Sequence, residues 1–261
     1  MVDVQEELET RNIYLRKVGI KNLVMPVLHQ LDDKYQNSVG TINLGVSLEA
    51  DKHAIHMSRL VESLYQWDGT ISNESIEMLL SEVKNRLEAL TSHIEVQFTS
   101  FKDKIAPSSK QAGIMDYNCM IKAELFEDDN MNFEIKVKVP IGSVCPCSKA
   151  ISKYGAHNQR GTVEVAFKSD NIACLNDVIN KIELAASTQL YSLLKRVDEK
   201  YVTEYAYENP KFVEDVARDV TVQLMKDKRY SWFHIEVENY ESIHNHNAYA
   251  VSVSEDMEGV S

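Results

Sequence analysis

The sequence predicts an α+β protein built of antiparallel sheets with helices on one face of them. Three observations lead there. Short stretches of strict apolar/polar alternation recur along the chain. Longer segments with an apolar stripe at helical spacing stand between them. The order of these signals in the first hundred residues is repeated in the remainder.

In the first half, Ile42, Leu44, Val46 and Leu48 alternate with polar or small residues, the period-two pattern of a half-buried strand. An irregular stretch follows through His53, His56 and Asp68-Gly69. Ile76, Leu79, Leu80, Val83, Leu87 and Leu90 then fall on one helical face. Ile94, Val96 and Phe98 return to strand alternation. In the second half, Phe133, Ile135, Val137 and Val139 predict a strand. The polar stretch Gly142 to Asn158 takes the place that Ala50 to Gly69 held before, and Val163, Val165 and Phe167 predict the next strand. Val178, Ile179, Ile182, Ala185, Ala186, Leu190, Leu193 and Leu194 predict one long helix. Pro210 stands just ahead of another, over Val213 to Met225. Phe233, Ile235, Val237 and Tyr249, Val251, Val253 predict two antiparallel strands joined across Asn239 to Asn247. Lys102 to Gln111, with Pro107-Ser108-Ser109 inside it, is the best boundary, giving halves at 1–106 and 107–261. The repeat is one of pattern; the halves share little residue identity.

Composition narrows the function. Hydrophobic residues make up 44% of the 261, enough for a real core. No window approaches about 18 consecutive apolar residues, so no membrane span is expected. The polar, acidic start lacks the apolar region of an export signal, which implies a cytoplasmic protein. Four irregularly spaced cysteines do not make a secreted disulfide framework and should be thiols. A net charge of −12 disfavours nucleic-acid binding. It still allows a small anionic ligand, because local lysines and arginines decide that.

The chemistry concentrates in three places. VPIGSVCPCSKAISKYGAHNQR, Val139 to Arg160, collects Cys145, Cys147, His157 and three basic residues. Cys145 and Cys147 are one residue apart, which is not the CxxC of a zinc ribbon or redox pair. Pro146 stiffens the bend between them, and Asn158, Gln159 and Arg160 follow His157. Leu194 to Val220 carries Asp198, Glu199, Glu204, Glu208, Glu214, Asp215 and Asp219. Most of these read as solvated helix-face charges. Glu199, flanked by Lys195, Arg196 and Lys200, could turn inward as a ligand, and Glu214 sits in a helical first turn that favours a carboxylate. Asn239 to Ala250 holds Glu241, His244 and His246 at a predicted hairpin tip, where a plain polar turn is the competing reading. A thiolate, a carboxylate and an imidazole supply three ligands and leave an open position for water, as in catalytic metal sites. That donor set leaves zinc, manganese and iron(II) open.

SVCPCSKAISKYGAHNQRG, DEKYVTEYAYENPKFVED and VENYESIHNHNAYA together resemble GTP cyclohydrolase of the IB type, the FolE2/MptA family, and an amino-terminal DVQ followed by VGIKNL fits it too. The resemblance implies a tunnelling fold with two tandem modules of antiparallel sheet in one chain. It implies homotetramers with active sites between subunits. It implies hydrolytic opening of GTP at C8, formate release and rearrangement to 7,8-dihydroneopterin triphosphate, the first step of folate-type pterin synthesis. Carried over residue by residue, Cys145, Glu199 and His244 look like the metal ligands. His157 belongs beside them as a proton-transfer group or a fourth ligand. Cys147 resembles the second active-site cysteine, Glu241 a further acid/base group, and Glu214 the carboxylate that anchors the purine. Lys149, Arg160 and Lys200 are assigned to the triphosphate by charge and position. Two alternatives stay open: a relative that stops at a cyclic phosphate, as archaeal members do, and a protein that holds a metal and a purine nucleotide without turnover.

Overall fold

A computed structural model of the chain describes residues 5, 9–31, 34–169 and 174–257. Most of the start on which the export-signal reading rests lies outside them, as do Asp3 and Val4 of the DVQ segment. The described residues form an α+β tunnelling fold of ten strands and six helices. They cluster into two compact units. One takes the chain up to Thr99 with Met120–Glu134; the other takes Ser100–Cys119 and the chain from Ile135 onward.

The first unit holds β1 (Leu15–Leu31), β2 (Lys34–Leu48), α1 (Met57–Gln66), β3 (Thr70–Ile71) and α2 (Asn73–Arg86). It also holds the first part of β4 (Ser92–Ile105), the last part of β5 (Ala112–Leu125) and the start of β6 (Met131–Val144). β2 lies between β1 and β4, antiparallel to both, and β3 runs parallel to β1. Strand parity sends Ile42, Leu44, Val46 and Leu48, with Ile94, Val96 and Phe98, into the core. Each such side chain contributes about 2 kcal/mol by leaving water. α2 covers them with Ile76, Leu79, Leu80 and Val83. Its start is fixed by Ser72, whose hydroxyl accepts the amide of Ser75 at 3.1 Å. β1 and β2 approach closely where Gly19 faces Gly45; a Cβ on Gly19 would lie 2.1 Å from the Leu44 carbonyl oxygen.

The second unit holds the remainder of β4, β5 and β6, then α3 (Pro146–Ile151), β7 (Asn158–Lys168), α4 (Leu175–Ala185) and β8 (Thr188–Gln189). α5 (Arg196–Glu208), α6 (Val213–Met225), β9 (Trp232–Asn239), β10 (Ala248–Val253) and a closing 3-10 turn complete it. The strand order β6-β7-β9-β10 is antiparallel throughout, and β8 lies along β6. Ile135, Val137, Val139, Val163, Val165, Phe167, Ile235 and Val237 form one buried face, which packs with Val178, Ile179 and Ile182 of α4 and Val216, Val220 and Leu224 of α6.

The helix over Val213 to Met225 and the closing strand pair stand where the sequence puts them. Several elements do not. The stretch read as irregular before Asp68 contains α1, whose buried stripe is only Leu60, Ser63 and Leu64. β1 and β5 carry no prediction. The inward residues of β5 are Tyr117, Cys119, Ile121, Ala123 and Leu125, a weak strand composition. The long helix predicted through Leu194 ends at Ala185. Beyond it, the side-chain amide of Asn209 donates to the carbonyls of Ala186 and Ser187 at 3.1 and 3.3 Å. Thr188 and Gln189 then pair with Gly142 and Ile141. A separate helix, α5, begins at Arg196.

The core of the second unit carries a charged pair. Lys104 and Glu183 are 7% and 4% exposed and stand 2.5 Å apart, an ion pair without the alignment of a hydrogen bond. The Tyr117 hydroxyl donates to the other Glu183 oxygen at 2.7 Å. Burial pushes the Lys104 ammonium down and Glu183 pulls it back up; burial and Glu183 both push the Tyr117 phenol up. Removing one member strands the other charge in the core. Lys104→Met should lower unfolding stability by about 3 kcal/mol, read from urea denaturation, and an unchanged midpoint refutes this account of the pair.

Burial also holds His29 and His93 neutral, both with pKa values lowered to about 4, with Lys17 adding to the effect at His93. An unfolded chain binds these protons near the ordinary 6.5. Their contribution to stability is therefore full above about 6.5 and is lost as pH falls toward 4. The urea midpoint should drop across that window, and His93→Gln should flatten the drop; an equally steep curve in the variant excludes His93 as a source.

Candidate active site

β6 runs from the core out to Val144, and β7 returns from Asn158 to lie against it, with Val144 paired to Asn158 and Gly142 to Arg160. The thirteen residues between them hold Cys145, Cys147 and His157. Backbone bonds close the mouth of this excursion, because the Cys145 amide donates to the His157 carbonyl at 3.2 Å. Pro146 opens α3 at a position where its missing N–H costs nothing. Ser148 ties the two reactive residues together. Its hydroxyl donates to the Cys145 carbonyl at 3.2 Å and accepts the His157 amide at 3.1 Å, and its own amide points to the Cys145 sulfur at 3.4 Å. All four cysteines are free thiols. Cys145 is half-buried and Cys147 exposed, while Cys119 and Cys174 are buried. Burial pushes the Cys119 thiol up to about 12.

From His157 the contacts continue. Its Nδ1 lies 2.8 Å from the side-chain oxygen of Gln159, whose amide nitrogen donates to Glu241 over a long 3.5 Å. Glu241 follows β9, and His244 and His246 lie exposed beyond it with rings stacked at 5.1 Å. Cys145, His157 and Glu241 thus belong to one connected cluster. In the sequence Gln159 is marked as one of the polar run after His157 but with no role, and Ser148 is not marked, although a serine three residues after Cys145 is at capping distance.

The other candidates stand apart from that chain. Glu199 and Lys200 occupy the exposed first turns of α5, with Lys200 3.9 Å from Glu204. Arg160 is exposed on β7. The ammonium of Lys149 is engaged: it donates to the Tyr207 carbonyl and lies 4.4 Å over the Tyr207 ring. Glu214 is exposed in the first turn of α6. The capping there falls to Asp215, which accepts the Phe212 amide at 3.0 Å, so the Glu214 carboxylate has no partner among the described residues. Asp198 is not a solvated helix-face charge. It is fully buried and accepts from the amides of Ser108, Ser109 and Lys195 at 2.7–2.8 Å and from the Ser109 hydroxyl at 2.5 Å.

Among the described residues no three His, Cys, Asp or Glu side chains converge as metal ligands. One protomer does not by itself bring Cys145, Glu199 and His244 together. The donor chemistry at Cys145 still suits a divalent ion: a half-buried thiol that meets one weak amide contact among the described residues remains available. A cavity of about 700 Å³ lies elsewhere, in the first unit, lined by Lys17, His93, Glu95 and Lys122 among others, and none of the candidate residues borders it.

A family model described as type I GTP cyclohydrolase folE2 matches residues 1–250. The chain belongs to that family. Relatives named GTP cyclohydrolase FolE2 include one from Desulfosudis oleivorans, 49% identical over 252 residues and 96% of each chain. Another, from Fervidobacterium nodosum, is 45% identical over 260 residues and 99% of each. Among solved structures, a uricase from Arthrobacter globiformis superposes with a TM-score of 0.54 at 9% identity, covering 91% of this chain and 92% of the other. A urate oxidase from Bacillus sp. TB-90 gives 0.51 at 7% identity, covering 92% and 99%. At such identities these two show the shared fold alone. No helix among the described residues is long and apolar enough to cross a membrane.

The differing exposure of the four thiols gives an order of reaction. Brief alkylation of the native protein should label Cys147 first and Cys145 more slowly, and should reach Cys119 and Cys174 only on unfolding. Mass spectrometry of the digested protein reads that order, and early labelling of Cys119 contradicts the placement of β5.

Proposed function

We propose that this family member opens the imidazole ring of GTP hydrolytically at C8, releases formate and forms 7,8-dihydroneopterin triphosphate, the first step of tetrahydrofolate biosynthesis. The observation that carries the reading is the family match across residues 1–250, which includes all three clusters of reactive residues. We read 1–106 and 107–261 as the two modules of the fold, in a cytoplasmic homotetramer.

Cys145, Glu199 and His244 would hold a divalent ion, zinc, manganese or iron(II), with neighbouring subunits completing the set. Such an ion polarises oxygen and lowers the pKa of water to about 7. The rest of the chemistry belongs to side chains. Guanine presents two adjacent donors, N1–H and the 2-amino group, and the uncommitted carboxylate of Glu214 offers two parallel acceptors to grip them. Adenine lacks that edge and would leave the carboxylate unpaired. Water adds at C8; Cys147 or His157 protonates the departing ring nitrogen as the C8–N bond breaks. A second water frees the formyl carbon as formate. The opened ribose then rearranges and closes the pyrazine ring with loss of water. Glu241 serves as a further acid/base group. Arg160 and Lys200 are exposed and placed to meet the triphosphate, Lys200 from a loose surface pair with Glu204; Lys149 must first leave Tyr207.

Cys145→Ala should lose bound metal and turnover together. Glu214→Ala should keep its metal, measured by plasma emission, and raise KM for GTP about 100-fold, the scale of lost hydrogen bonds to a charged group. Unchanged GTP and no formate from the metal-loaded wild type would refute the cyclohydrolase reading. Normal GTP affinity in the Glu214 variant would refute the anchor.

A further inference from the structure

Gln159 has no part in the chemistry above, yet it connects two residues that do. It lies on β7 opposite Ser143 of β6, half-buried, between His157 and Glu241. Its geometry carries information about protons. The Gln159 side-chain nitrogen faces the Glu241 carboxylate, whose oxygens accept hydrogen bonds, so the NH2 end of the amide is turned toward it. The reverse orientation would set oxygen against oxygen. With the NH2 turned to Glu241, the amide oxygen faces His157 Nδ1 at 2.8 Å. That oxygen also only accepts, so Nδ1 must be the donor. A neutral imidazole with its proton on Nδ1 keeps its lone pair on Nε2. The backbone of His157 is held as well, its amide on Ser148 and its carbonyl on Cys145, so the ring's base cannot shift to relieve a wrong pairing.

We propose that Gln159 is a positioning residue that fixes His157 as the Nδ1–H tautomer and presents Nε2 as the free lone pair, with Glu241 acting through Gln159 by setting the orientation of its amide. The effect on turnover rests on the cyclohydrolase reading; the tautomer does not. The consequence is a division of labour. Nδ1 is occupied by an acceptor that cannot take its proton at neutral pH, because an amide oxygen is a very weak base. Proton transfer, or ligation, is confined to Nε2. Glu241 then matters even without touching substrate, because a neutral side chain in its place lets the Gln159 amide turn over and the imidazole follow.

The test reads the tautomer directly. Nitrogen-15 NMR of the zinc-loaded protein, labelled at histidine and held at about pH 8 to keep ordinary imidazoles neutral, distinguishes protonated from unprotonated ring nitrogens. Signals missing from His157→Asn identify His157 among the eight histidines. The wild type should show a protonated Nδ1 and an unprotonated Nε2. Gln159→Leu and Glu241→Gln should both show a mixture of tautomers. Gln159→Leu should lower kcat roughly 10- to 100-fold, up to the lower end of what a general acid–base group supplies, with KM for GTP unchanged. A protonated Nε2 in the wild type, or an unaltered tautomer in Gln159→Leu, overturns the proposal. A tautomer shift without loss of kcat overturns the positioning role. A shift as expected in a protein that never consumes GTP supports the tautomer assignment and sinks the cyclohydrolase reading instead.

Discussion

The site depends on how β6 and β7 are joined. Two antiparallel strands could be linked by two residues, but here thirteen intervene, and the six of α3 are the regular structure among them. What defines it is a small set of contacts across its base: the Cys145 amide on the His157 carbonyl, and one serine hydroxyl that both donates to the cysteine backbone and accepts from the histidine. The strands beneath are anchored by fully buried Val137, Val139, Val163 and Val165. Cys145 and His157, twelve positions apart, are thus referred to one sheet. A mobile excursion would lose that advantage, because small errors in placing a general acid or a ligand cost large factors in rate.

Much of the fold was legible because burial in a sheet follows parity. Ile42 to Leu48 and Phe233 to Val237 could be placed from alternation alone, and the Val213 to Met225 helix from its stripe and the preceding proline. The failures are equally physical. β5 buries a tyrosine, a cysteine and an alanine where a β-branched run would have announced a strand. α1 spends a core position on Ser63, whose hydroxyl returns to the Arg59 carbonyl. The helical spacing of Leu190, Leu193 and Leu194 extends past Ala185, but Asn209 takes the carbonyls that follow. No local pattern shows a competitor more than twenty residues downstream.

The site divides in the same way. The reactive types, Cys145, Cys147, His157, Glu241 and His244, declare themselves by chemistry and clustering. Their supports do not, because a support is defined by its partner. Ser148 acquires meaning from His157 nine positions on, and Gln159 from Glu241 eighty-two positions on. Asp198 is the sharpest instance. In sequence it is one acid in a helix full of acids, and only the amides of Ser108 and Ser109 reveal it as a buried acceptor.

That buried aspartate has a bearing on where this chain can be altered. The turn at Ser108–Ser109 looks from sequence like an ordinary exposed link, rich in the residues that mark permissive connections. Its amides are spoken for by a helix ninety residues away, so lengthening it would pull hydrogen-bond donors off a carboxylate that has no water to replace them. At the hairpin end Asp128–Asn130, Asn130 bonds to Asp128 within the turn, and the tie outward is the Lys84 ammonium on the exposed Asp129 carboxylate and the Phe126 carbonyl, a flexible side chain that can follow a change at the tip. A peptide tag or a fused domain belongs at the second tip and not at the first.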